Sequence, residues 1–247
     1  MSYDLLFRQA IEFHQNGDYD HAEQLYRQIL EAIPNQADVL NLLGLIAQTK
    51  NIHQEAVSLF YRAIQADNKR AQFYFNLGIS LRLWNKPYEA LEAFEKSATL
   101  EPNTKETWLE IGNLKKDLNQ PENANHAYNK ALNIDPQYTD AKINQILLTH
   151  SEDQAITQLH ELHHQSPNTP QINYHLGLLY FKQNKFENSL TYLRQAVEFC
   201  PHDEKANSLL GQSLLALNNI AEAKESFASE VAARRCAMDS AGKNAQQ

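Results

Sequence analysis

Asn76-Leu77-Gly78 holds a glycine that falls on a count running along most of the chain. Gly44, Gly78 and Gly112 stand 34 residues apart, Gly177 follows after 65, and Gly211 after another 34. Five of only seven glycines thus share one period, with a single interval three residues short. A repeat of 20 to 50 residues marks an array of supersecondary units, each unable to bury its apolar face alone and each closed by its neighbours.

Working outward, the units run 3–36, 37–70, 71–104, 105–138, 139–169, 170–203 and 204–237, and leave 238–247 as a flexible tail. Within a unit the apolar residues recur at helical spacing, as in Leu77, Leu81, Ala90, Leu91, Phe94 and Ala98, so each reads as two helices. Gly17, Asn51, Asn85, Asn119, Asn184 and Asn218 fall between the two, and these are the residue types that tolerate the left-handed backbone closing a helix. Pro102 and Pro136 follow second helices, which they cannot continue. Gly78 and Ala90 leave room for close helix packing, with Phe94 and Leu77 filling the space around them. The fifth unit lacks both the glycine and three residues; its first helix is expected to be about one turn shorter than the others.

These residues resemble the tetratricopeptide repeat pattern over 3–237, best in the fourth unit: Trp108, Ile111, Gly112, Ala124, Tyr128, Ala131 and Pro136. The resemblance implies an all-α, right-handed superhelical solenoid of about seven stacked hairpins. It also implies that the first helices line a concave groove binding a peptide or protein partner. The family's clamp for chaperone C-termini is absent, its places holding Phe7, Leu42 and Gln72. The opening units are also similar to repeats fused to bacterial glycosyltransferases and methyltransferases, for which no room is expected after residue 237.

A formal charge of −8 is the wrong sign for a chain whose main partner is nucleic acid. Cys200 and Cys236 have no paired spacing, the start MSYDLLFRQA is unlike a secretory leader, and no run is apolar enough to span a bilayer. The expected address is cytoplasmic, without membrane insertion.

His160-Glu161-Leu162-His163-His164 matches the H-E-x-x-H spacing that puts two metal ligands on one helix face with a glutamate as general base. Leu159 and Leu162 already take the packing positions, so His160 and His164 are expected on the outer face of a second helix, away from any water-excluding site. No phosphate loop, dinucleotide fingerprint or nucleophile elbow occurs. No catalytic residue, cofactor or metal is therefore assigned.

Function is expected in the groove. Its inner stripe, at spacing i, i+4, i+7, runs through Phe75, Ile79 and Arg82, then Leu109, Asn113 and Lys116, then Tyr174, Leu178 and Phe181, with Asn76 and His175 adjacent. Aromatic anchors beside mixed polar groups suit a peptide or protein partner, and self-association is compatible with the same face. The reading is a non-enzymatic scaffold or adaptor. The alternatives are a substrate-recognition or assembly subunit of a separate enzyme, and a metal-dependent hydrolase built on His160, Glu161 and His164.

Overall fold

Six turn residues reverse the chain. In the computed structural model, which describes residues 3–219 and 222–232, Gly17 sits at φ 77° and Asn51, Asn85, Asn119, Asn184 and Asn218 lie between 57° and 59°. The Asn85 amide donates to the Arg82 carbonyl at 3.0 Å and the next amide, Lys86, to Leu81 at 2.9 Å. This pair of bonds recurs at each of the other asparagines and occupies carbonyls that a helix end leaves without partners.

The helices that these turns join make two compact units, which divide after Tyr138. The first contains α1 (Tyr3–Gln15), α2 (Tyr19–Ala32), α3 (Ala37–Thr49), α4 (His53–Ala66), α5 (Ala71–Leu83), α6 (Pro87–Leu100), α7 (Lys105–Asp117) and α8 (Pro121–Ile134). The second contains α9 (Thr139–Thr149), α10 (Glu152–Gln165), α11 (Pro170–Lys182), α12 (Phe186–Phe199), α13 (Glu204–Ala216) and a helical stretch over 222–232. No strand occurs among the described residues. The fold is an all-α helical-repeat solenoid, as the period implies. Pro87, Pro121 and Pro170 open helices at a position where the missing N–H costs nothing.

Helices α3, α5, α7, α11 and α13 each pack on the following helix through a glycine that seats a side chain sixteen residues on. A Cβ at Gly78 would stand 2.7 Å from the Phe94 ring, and one at Gly44 would stand 2.7 Å from Phe60. Gly112 meets Tyr128 in the same way. Phe60, Phe94 and Tyr128 are fully buried. The first unit has one continuous core from Ala10 to Ala127, whereas the second divides its core in two, around Leu159 and Leu176 and around Leu193 and Leu214.

One expectation needs correction. Helix α9 has 11 residues against 13 in the other odd-numbered helices, a loss of two rather than a full turn. The third missing residue comes from the turn and is the left-handed asparagine itself. In its place Ser151 starts α10 with a capping box, in which its amide donates to Gln154 Oε1 at 3.2 Å. At the other end, Ser226 is buried, and its hydroxyl donates to the Asn207 carbonyl at 2.8 Å. Arg234, Arg235 and the tail 238–247 lie outside the described residues.

Candidate functional site

In the first unit the stripe residues on α5 and α7 divide into those already paired and those left open. Asn76 is 6% exposed; its Nδ2 donates to Asn41 Oδ1 at 2.9 Å, and its Oδ1 accepts from Gln72 Nε2 at 2.8 Å. A buried amide satisfied in this way holds α3 and α5 in register. Asn113 Oδ1 accepts the Tyr128 hydroxyl at 3.0 Å, and burial pushes that phenol well above its usual pKa. Arg82 Nε stands 3.4 Å from Glu110 Oε2, a pair half open to water that contributes at most about 1 kcal/mol. Ile79 is half-buried against the core, and Lys116 is half-buried on α7.

Phe75 is the stripe residue that borders space. Its ring meets Phe94 edge-on at 5.5 Å and forms part of a cleft of about 210 Å³ between α5, the end of α6 and the start of α7. Ala71, Thr104 and Thr107 complete the wall, with Glu101 and Glu106 at the edge.

In the second unit Tyr174, Leu178 and Phe181 pack half-buried against the cluster of Leu190, Leu193, Leu209 and Leu210. Tyr174 stands edge-on to His175 at 5.1 Å, and Phe181 stands edge-on to Phe186 at 5.5 Å. Tyr174 also lines a cleft of about 260 Å³ with Glu204, Lys205 and Gln212. Burial and the charge of Asp203 raise its phenol pKa.

Sequence profiles of the tetratricopeptide repeat match residues 7–71, 71–104, 105–138 and 170–203. The chain belongs to the tetratricopeptide repeat family. A tetratricopeptide repeat protein from Parabacteroides merdae superposes with a TM-score of 0.81 at 17% identity, over 99% of each chain. A chain of the APC/C hetero-tetramer Cut9-Hcn1 matches 98% of this tetratricopeptide repeat chain and 49% of its own, with a TM-score of 0.68 at 14% identity. YrrB, a repeat protein with an unusual peptide-binding site, has a TM-score of 0.52 at 20% identity over 73% of this chain and 95% of its own. At these identities the likeness is one of fold. No curated protein sequence matches the chain.

Against this repeat frame His160 is not where the sequence suggested. It turns toward α11 and α12, where its Nε2 lies 2.8 Å from the Tyr180 hydroxyl and its ring stands edge-on to Tyr192 at 5.5 Å. The physical reason is that Tyr180 and Tyr192 stack at 5.8 Å and leave a half-buried slot that an imidazole fills better than water does. Among the described residues no three His, Cys, Asp or Glu side chains come together as a metal site. His164 is exposed. Reading the sequence missed this tyrosine pair and also the Glu101 and Glu106 edge of the Phe75 cleft. Both lie across helix junctions, where spacing within a single helix carries no signal.

Proposed function

We propose that the chain is a non-catalytic scaffold that binds a peptide or protein partner on the face formed by its odd-numbered helices. The observation that carries this reading is Phe75. It borders an open cleft, while the polar residues around it, Gln72, Asn76 and Asn41, are bonded to one another. A partner there gains contact with an aromatic side chain without breaking buried amide pairs. Such aromatic anchors carry most of the energy of interfaces. In the second unit Tyr174, His175, Leu178 and Phe181 supply the corresponding face, and Arg82, Asn113 and Lys116 complete that of the first. No described helix is long and apolar enough to cross a membrane, and Cys200 is exposed and free, which suits a reducing, cytoplasmic setting.

The test is quantitative capture. Partners recovered on the immobilised full chain are titrated against wild type, Phe75→Ala and Phe75→Ala/Tyr174→Ala, with melting curves for each. Losing an anchor costs about 2 kcal/mol or more, so the double variant should bind roughly a thousandfold more weakly while it remains helical. Unchanged affinity in a folded double variant would move the binding surface to the even-numbered helices.

A further inference from the structure

The Phe75 cleft carries a charge pattern that specifies what it accepts. Glu101 and Glu106 are both exposed at its edge, and its lining includes no lysine, arginine or histidine. Of the three cations next in sequence to its lining, Lys96 is exposed on α6 and is not part of the cleft, and the other two are engaged elsewhere. Lys105 Nζ stands 2.6 Å from Asp135 Oδ2 and lies over the Tyr138 ring, while Arg70 pairs with Asp38 at 3.4 Å and lies over Phe73. No described basic side chain pairs with Glu101 or Glu106 within 4 Å.

The helix ends do not cancel this charge. The cleft touches both the last turn of α6, whose carbonyls are partially negative, and the first turn of α7, whose amides are partially positive. These fields oppose each other, so the two carboxylates set the sign. The floor is apolar, formed by Phe75 and Ala71, with Thr104 and Thr107 presenting small side chains. At about 210 Å³ the space is below the range of drug-sized ligand sites, which begins near 300 Å³, and suits one side chain.

We propose that this cleft is a pocket for a single basic side chain of a bound peptide, arginine in preference to lysine, with its methylene stem on Phe75 and its cationic head between Glu101 and Glu106. This rests on the odd-numbered helices being the binding face. An arginine stem buries apolar surface while its head stays at the wet edge. Its planar guanidinium offers five donors to two carboxylates and stacks on an aromatic ring, which an ammonium does less well. An aspartate or glutamate at the same place would meet two like charges. An acidic peptide tail would meet the same repulsion at this cleft.

The experiment uses a displayed library of random twelve-residue peptides selected on the full-length wild type, on Glu101→Gln/Glu106→Gln and on Phe75→Ala, with melting curves confirming that each is folded. Both glutamates are exposed, so the double variant keeps its packing. Wild-type selection should enrich one arginine-bearing position, the glutamine variant should lose that preference, and replacing the arginine of a selected peptide by citrulline should weaken binding roughly tenfold, or about 1.4 kcal/mol. Two results separate the possible failures. Enriched peptides that depend on Phe75 but show no basic position, or the same basic position on the glutamine variant, overturn the pocket and leave the binding face standing. No enrichment over Phe75→Ala overturns both.

Discussion

Four residues answer directly to measurement. Asn85 holds φ 58°, a conformation costing most L-residues about 1 to 2 kcal/mol, so Asn85→Ala should lose about 1 kcal/mol in urea unfolding and Asn85→Gly should be nearly neutral. Gly78→Ala drives a methyl to 2.7 Å from the Phe94 ring and should cost about 1 to 3 kcal/mol by overpacking. Gly177→Ala meets the buried Leu193 Cγ at 2.6 Å and the Ser189 carbonyl oxygen at 3.3 Å, and a loss of the same size is expected. His160 has its pKa lowered from 6.5, first by burial and then by the charges of His163 and His164. Its unfolded form therefore takes up a proton first, so its contribution to stability is complete above about pH 6.5 and declines as pH falls toward the lower folded value. An NMR titration should place the His160 midpoint below 6.5, and a midpoint at or above it would refute the slot formed by Tyr180 and Tyr192.

At the scale of elements, α9 buries less than any other of the helices α2 to α13: only Ala141 and Ile143 are buried in it, against Thr107, Leu109, Ile111, Gly112 and Leu114 in α7. Hydrogen exchange should therefore open residues 139–149 before 105–117, and equal protection factors would contradict this. The hairpins themselves were legible in sequence because their causes are local. A left-handed asparagine, a glycine with a ring or a leucine sixteen residues on, and a proline past α2, α6, α8, α10 and α12 all act within one unit. The shortening at α9 was legible as a count, but which residues were lost was not, since Ser151 with Gln154 could replace the turn asparagine without disturbing the period. His160 and the acidic edge of the Phe75 cleft escaped for a related reason. Their neighbours, Tyr180, Tyr192 and Phe75, come from other helices, and single-helix spacing places a side chain on a face without saying what stands opposite.

At the scale of the whole molecule, residues through Tyr138 have a continuous core of their own. A chain of residues 1–138 should thus melt cooperatively with the helical signal of eight helices, and a non-cooperative, partly helical product would show that this core is incomplete. The pairing of Gly44 with Phe60, Gly78 with Phe94 and Gly112 with Tyr128 has a consequence for how such a chain changes length over generations. The recess and the ring that fills it are encoded within the same 34-residue block, so a tandem duplication copies both together and each new hairpin arrives already fitted. Contacts that join neighbouring blocks, such as Asn41 with Asn76 or Lys50 with Asp20 and Glu23, are not copied as complete pairs. Drift after duplication should therefore accumulate at the seams, and those seams include the Phe75 cleft, where one lineage's choice of partner would come to differ from another's.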